Sequence, residues 1–222
     1  MATLDLMAVF AHPDDESLCA AGLIADTVAR GLRVGVVCAT RGEAGVDRAG
    51  RTPTGEALGA LRWAELRAAC SSLGAKEPVD LGLRDGELAS TDGRDRLREV
   101  LHAEAPRVLV TMGPDGAYGH RDHTAVTRWL GAVRPDGTRL LHALFPRGLF
   151  EPLHTRLRRA LGARSIEERP AEGFGSRPEQ AHLVLRDVDG PKRRALAAHA
   201  SQLADGDVRS FLLPGIVDRL LR

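Results

Sequence analysis

A run of six apolar residues, Leu6 to Ala11, passes without a spacer into His12-Pro13-Asp14-Asp15-Glu16. The run is too short for a buried helix, and the residue before a proline is steered away from helical geometry. It therefore reads as a strand buried on both faces, which requires a sheet covered on both sides. Ser17–Arg30 follows with Leu18, Ala21, Ile24, Ala25 and Val28 at helical spacing, and Gly31 closes it. Arg33–Thr40 is again apolar after its first residue. Strand, helix and strand joined by short links make a βαβ unit, so the first two strands must be parallel.

The alternation continues along the chain. The pattern predicts a loop over Arg41–Gly55, a helix over Glu56–Leu73 stopped by Gly74, and a short strand over Val79–Leu83. A helix over Asp92–Ala105, a strand over Arg107–Met112, a loop over Gly113–Gly119 and a helix over His120–Leu130 come next. Leu140–Phe145 reads as a strand and Glu151–Leu161 as a helix. Glu167–Gln180 is polar and rich in Gly and Pro, and reads as a surface loop or substrate-side flap. Ala181–Leu185 is expected as a late strand, Pro191–Leu203 as a helix and Val208–Leu221 as a weaker closing segment. The class is α/β: a doubly wound, mostly parallel sheet with helices on both faces and its ligand site beyond the carboxyl ends of the strands.

The 222 residues suit one domain spanning 1–222, large enough to bury roughly 70% of its unfolded surface without disulfides. Cys19, Cys38 and Cys70 are odd in number, form no CxxC pair and sit among apolar neighbours. Reduced, packed thiols fit a reducing compartment. The start lacks a basic region ahead of its apolar run, and no stretch approaches 18 apolar residues. The expected setting is the cytoplasm. A formal net charge of +1 offers nothing to attract nucleic acid or an acidic membrane. Self-association is left open.

Two polar clusters stand where this fold class places its sites. His12 and Asp15 are three apart across the turn that ends the first strand. Gly119-His120-Arg121-Asp122-His123 follows the Arg107–Met112 strand and opens a helix, with two imidazoles at i and i+3. Two imidazoles and one carboxylate form a facial set that leaves positions open for water and substrate, whereas structural zinc sites usually close all four, often with thiolates. No thiolate is placed to join here, so an open set argues for catalysis. Zinc is the expected ion, with iron(II) or another divalent metal as the alternative.

These residues resemble the LmbE-like, or PIG-L, N-acetylglucosaminyl deacetylases. The resemblance rests on Ala-His-Pro-Asp-Asp-Glu at 11–16 and Gly-His-Arg-Asp-His at 119–123. It extends through Thr40 with Gly42-Glu43, Arg62 with Glu65, Asp85-Gly86, Lys192, Ala195-Leu196, His199 and Ser201-Gln202. It implies a Rossmann-like fold and a metal-dependent hydrolase that removes the acetyl group from an N-acetylglucosaminide, possible substrates including GlcNAc-malate. By the resemblance, His12, Asp15 and His123 are metal ligands and Asp14 is the general base. His120 would stabilise the oxyanion or protonate the leaving amine, with Asp122 as its partner. Tyr118 would approach the substrate carbonyl. Arg62 and Asp85 resemble sugar-contacting positions, and Glu43 and His199 would line the substrate site. The family's usual proline between the second-motif histidine and aspartate is Arg121 here.

Structural readings compete at several of these positions. Glu43 can be a solvated loop acid, Arg62 and Glu65 an ion pair on a helix surface, Asp85-Gly86 a turn, and His199 a packed side chain. Arg41, Arg48, Arg51 and Arg84, with Asp85 and Tyr118, are expected to build a polar rim suited to a sugar, with arginines for an aglycone carboxylate. A dinucleotide-binding oxidoreductase would carry G-x-G-x-x-G after the first strand, and a serine hydrolase G-x-S-x-G; neither is present. A metal- or sugar-binding module without catalysis would not need Asp14 or His120. A thiol-conjugate amidase with the same catalytic set is the alternative enzyme.

Overall fold

The computed structural model describes residues 3–52, 54–161, 166, 174–184 and 190–210. Five strands, β1 (Leu6–Phe10), β2 (Val34–Cys38), β3 (Val79–Asp80), β4 (Val108–Met112) and β5 (Arg139–Ala143), form one sheet. Their order is β3-β2-β1-β4-β5, and every pairing is parallel. Among the described residues eight α-helices accompany them: α1 (Asp15–Cys19), α2 (Ala21–Ala29), α3 (Glu56–Leu73), α4 (Arg94–Glu104), α5 (Gly116–Gly119), α6 (Arg121–Val133), α7 (Glu151–Leu161) and α8 (Pro191–Ala198).

The period-2 geometry of β1 divides the core. Leu6, Ala8 and Phe10 join one apolar cluster with Ile24, Leu66, Cys70 and Ala195, from α2, α3 and α8. Met7, Val9 and Ala11 join the other with Leu97, Leu101, Val126 and Leu130, from α4 and α6. β1 and β2 are buried along their whole length, as two-sided cover demands.

Strand order reverses between β1 and β4, and there the sheet opens. β1 stays in register with β2 to Phe10↔Cys38, but its pairing with β4 stops at Ala8↔Val110, although both strands continue to Phe10 and Met112. The parted carboxyl ends form the crevice in which ligands of such sheets bind. The two polar clusters follow these two strand ends.

Several elements depart from the sequence pattern. The Ser17–Arg30 helix is two helices, broken at Ala20 (φ −131°), because the first turn begins at Asp15 and must fold around polar groups. β3 is two residues long, since Gly82 leaves the strand at positive φ. The 181–184 stretch forms no strand; Leu183 and Val184 are exposed. The helix expected to reach Leu203 ends at Ala198, and Ala200–Gln202 continues as a 3-10 turn. Residues 167–173, 185–189 and 211–222, which include half of the expected flap and most of the expected closing segment, lie outside the described residues.

α3 ends on Gly74 in the left-handed region (φ 74°), and a Cβ there would stand 2.7 Å from Val28 Cγ1 on α2. Gly74→Ala combines backbone strain with overpacking and is expected to destabilise by roughly 1–3 kcal/mol. Urea denaturation would register this as a lower midpoint with an unchanged m-value.

Candidate active site

The turn after β1 sets the geometry. Asp14 adopts φ 113°, ψ −27°, a costly backbone for a residue with a Cβ, and caps α1 without a side-chain cap hydrogen bond. Two contacts hold it there. Its N–H donates to Glu16 Oε2 at 3.0 Å. Its carboxylate Oδ2 accepts from Arg62 Nη2 at 2.8 Å. Arg62 also donates to the carbonyls of Pro13 (2.7 Å) and Gly42 (3.0 Å). Burial pushes the Asp14 pKa up to about 6, with the Arg62 guanidinium pulling the other way.

His12, Asp15 and His123 converge. His12 Nδ1 lies 3.2 Å from His123 Nε2. Asp15 turns Oδ2 toward His12 Nδ1 at 3.6 Å and Oδ1 toward His123 Nε2 at 3.3 Å. The remote nitrogens of both rings are engaged by acceptors. His123 Nδ1 meets the Gly116 carbonyl at 3.1 Å. His12 Nε2 meets Asp85 Oδ1 at 3.0 Å and Asp122 Oδ2 at 3.4 Å. A carbonyl and carboxylates only accept, so each remote nitrogen carries the proton. Burial alone would lower the His12 pKa, but Asp85, Asp122 and Asp15 outweigh it and the net shift is upward. With an ion bound, the inner nitrogens of the two rings would turn lone pairs toward it beside Asp15. A tetrahedral ion with ~2.0–2.1 Å bonds separates its ligand atoms by about 3.3–3.4 Å, and the 3.2 Å between the two imidazole nitrogens and the 3.3 Å between His123 Nε2 and Asp15 Oδ1 fit a zinc-sized cation. His120 extends the set: the nearest polar atoms of His12, His120 and His123 lie within 4.8 Å of one another.

The second cluster is shaped by its loop. Asp115 Oδ1 accepts from Ala117 N–H and Oδ2 from Gly175 N–H, fixing a turn in which Gly116 and Ala117 both have positive φ. A Cβ at Gly116 would meet Thr124 Cγ2 at 2.9 Å, so the carbonyl that receives His123 depends on glycine. His120 caps α6, accepting Asp122 N–H on Nδ1 at 3.3 Å, and its ring stacks on His123 at 4.6 Å. Burial, then the neighbouring imidazoles of His123 and His12, holds His120 well below the usual histidine pKa. It is a neutral ring with its proton on Nε2. Tyr118 stands edge-on to both rings at 5.9 and 5.7 Å, and burial raises its hydroxyl pKa.

The structure brings all the sequence-selected positions to one region but distributes their contacts differently. Arg62 and Glu65 are not a surface pair: both are buried, and they serve different partners. Glu65 accepts from Ser201 N–H at 2.6 Å and Ser201 Oγ–H at 2.7 Å. The Asp122 side chain faces His12, with Gly86 N–H and Leu88 N–H on its oxygens, and touches His120 only through its backbone N–H. Asp85, besides holding His12, accepts Ala44 N–H, and Glu43 accepts Asp85 N–H at 2.8 Å. Arg121 is half-buried at the first position of α6, and its Nε has no hydrogen-bond partner among the described residues. Three rim arginines already face acids: Arg41 with Asp80 at 2.7 Å, Arg51 with Asp47 and Arg84 with Glu87 at 3.9 Å. Arg48 Nη1 donates to the Ser210 carbonyl at 2.7 Å.

Sequence reading passed over Glu16, although it completes the first motif. Its carboxylate is buried, joining Asp14 N–H to Ser17 Oγ–H and to His199 Nε2 at 2.8 Å. A third consecutive acid at the end of a buried strand was the available signal, since a helix dipole alone does not require three.

A buried centre of imidazoles and carboxylates at the switch point of a parallel sheet defines an α/β protein able to hold a divalent ion. The chain belongs to the PIG-L family: the model described as GlcNAc-PI de-N-acetylase matches residues 7–133. It is 33% identical over 250 aligned residues to a 1D-myo-inositol 2-acetamido-2-deoxy-alpha-D-glucopyranoside deacetylase of Nakamurella multipartita, covering 96% of this chain and 82% of that one. A protein of the same name from Mycolicibacterium vanbaalenii is 31% identical, with 96% and 86% covered. Among solved structures, the N,N'-diacetylchitobiose deacetylase of Pyrococcus horikoshii superposes with a TM-score of 0.64 at 23% identity, over 90% of this chain and 71% of that one. That likeness speaks for the fold.

The His199–Glu16 contact gives a pH signature. Burial lowers the His199 pKa, but Glu16 outweighs it, Asp14 assists and Arg62 opposes; the net shift is upward. A raised folded-state pKa contributes stability that is full below the unfolded value of about 6.5 and is lost as pH rises through the folded value. The stability gap between wild type and His199→Gln, measured by denaturant titration, should be widest below about pH 6.5 and narrow as pH rises above it. A gap independent of pH would mean that His199 stays neutral.

Proposed function

We propose that the chain is a metal-dependent amide hydrolase that removes the acetyl group from an N-acetylglucosaminide, using a divalent ion held by His12, Asp15 and His123. The observation that carries this reading is the convergence of two imidazole nitrogens and a carboxylate, with the remote side of each ring fixed by an acceptor. Zinc is the first choice for this nitrogen and oxygen set, and iron(II) the second. When bound, the ion polarises the carbonyl and lowers the pKa of water to about 7.

The chain's own residues supply the proton transfers. Asp14 is aimed by Arg62 and buried, so its carboxylate is a base raised toward neutrality, suited to taking a proton from the attacking water. Neutral His120 offers its Nε2 proton as a hydrogen bond to the oxygen that gains charge in the tetrahedral state. Tyr118, beside both rings, can donate to the same oxygen. The proton on Asp14 then passes to the departing nitrogen, which leaves as the amine. Asp85 and Asp122 position His12, and Glu43 positions the turn that carries Asp85.

The family and the named deacetylase relatives support an amino-sugar glycoside as substrate, and those names carry an inositol. We place the inositol glycoside ahead of GlcNAc-malate, because three of the four rim arginines already face carboxylates. The reading takes residues 1–222 as one catalytic domain working in the cytoplasm on a small molecule, without nucleic acid or membrane. No helix among the described residues is long and apolar enough to cross a membrane.

Three outcomes test this. His12→Ala and His123→Ala protein should each lose bound metal by elemental analysis; full stoichiometry in both would remove the ligand assignment. Asp14→Asn should keep its metal while kcat falls by about 10²–10⁴-fold. Near-normal turnover would place the base elsewhere. Amine release from N-acetylglucosaminyl-inositol, GlcNAc-malate and an N-acetylated peptide, at equal metal loading, should rank the inositol glycoside first and the peptide last. Peptide preference would reject the sugar assignment.

A further inference from the structure

We infer that His199 and Glu16 form a buried positioning pair that locks Asp14 in its left-handed backbone conformation, so that His199 sets the aim of the base without touching substrate. The inference rests on the proposed role of Asp14 for its kinetic consequence, and on geometry alone for its structural one.

Asp14 has φ 113°, a region that residues with a Cβ occupy only when surroundings enforce it. Arg62 on α3 holds its side chain and the carbonyl end of the 13–14 peptide, so the N–H end of that peptide is the part left for Glu16 to fix. Among the described residues, the acceptor of its N–H is Glu16 Oε2. That carboxylate is 1% exposed, so its orientation is decided by protein partners. They are Ser17 Oγ, its chain neighbour, and His199 Nε2 at 2.8 Å, which comes from the end of α8. Ser17 Oγ and His199 Nε2 also lie 3.3 Å apart, closing a three-membered cluster around Glu16 Oε1. Ser17 moves with the turn it would restrain. Among the described residues, His199 is what ties the cluster to a separate element.

α8 is itself fixed independently. Ser201 is held by Glu65 on α3 through two hydrogen bonds, and its carbonyl accepts Arg48 N–H at 2.8 Å. His199 is fully buried, and its Nδ1 has no hydrogen-bond partner among the described residues. One N–H donor on the Nε2 side is therefore what a substitute must reproduce. Glutamine can present such a donor at similar reach, and leucine cannot.

The experiment compares wild type, His199→Leu, His199→Gln and Glu16→Gln for kcat, KM and metal content on N-acetylglucosaminyl-inositol, with a crystal structure of the leucine variant. Glu65→Gln serves as a control that weakens the anchoring of the same segment without touching Glu16. His199→Leu should lower kcat by about tenfold or more, with KM and metal content within about twofold, and His199→Gln should recover most of the loss. Glu16→Gln, which keeps the shape of the carboxylate, should lower kcat in the same way if the leucine variant does not fold. Glu65→Gln should lower the melting temperature more than it lowers kcat. In the crystal, Asp14 should leave the left-handed region or its carboxylate should part from Arg62. The proposal is overturned if His199→Leu keeps wild-type kcat, if Gln and Leu lose equally, or if the loss follows metal content. An unmoved Asp14 in the leucine variant overturns it whatever the activity. Wild type inactive on every amide, with Asp14 displaced in the variant, would instead reject the functional reading and leave the positioning pair standing.

Discussion

β1 has sheet neighbours on both edges and apolar cover on both faces, so the chain that leaves it emerges into an interior from which water is largely excluded. The residues there are a histidine and three acids. Groups of that kind cannot stay buried unless each finds a partner, because an unpaired buried charge costs several kcal/mol. The site is the solution to that constraint. Asp14 takes Arg62, Asp15 faces His12 and His123, Glu16 takes His199 and Ser17, and His12 turns its far side to Asp85 and Asp122. Each pairing draws in a different element, so the polar centre also fixes where α3, α6, α8 and the 41–55 and 84–88 loops come to rest.

The parting of β1 from β4 makes this arrangement possible. Had pairing run to the ends of both strands, the two clusters would sit on adjacent backbones with no space between them. Because it stops at Ala8↔Val110, the following turns diverge and then lean back across the gap, bringing His12 and His123 to 3.2 Å. The distorted 116–119 turn contributes the carbonyl that orients His123, and Asp115 stabilises that turn from within.

The buried strands, Glu56–Leu73 and both polar clusters could be read from sequence because each rests on local pattern: a short apolar run, a 3.6-residue period, acids and histidines at strand ends. What the pattern could not give was which polar residue answers which. Arg62 and Glu65, three apart on one helix, invite pairing with each other, yet both point inward to partners 48 and 136 positions away. Asp122 sits beside His120 in sequence and serves His12. Such choices depend on loop closure over long separations, for which periodicity holds no information. The 181–184 stretch, expected as part of a strand, shows how weak short-range β propensity is: Leu183 and Val184 are exposed, and a strand is stabilised by cross-strand packing more than by propensity.

The tie between α8 and the first turn bears on how the chain acquires its site during synthesis. A growing polypeptide can pair β1, β2 and β4 and assemble most of both apolar clusters before α8, which brings Ala195, exists. At that stage Glu16 and Glu65 are enclosed carboxylates awaiting His199 and Ser201, and each mismatch costs about 1–3 kcal/mol or more. A sheet formed before α8 would therefore surround a polar centre in which both carboxylates lack partners that they have in the finished protein. His199 and Ser201 lie 183 and 136 positions from the acids they meet, so these contacts form across the chain and not within one of its local units.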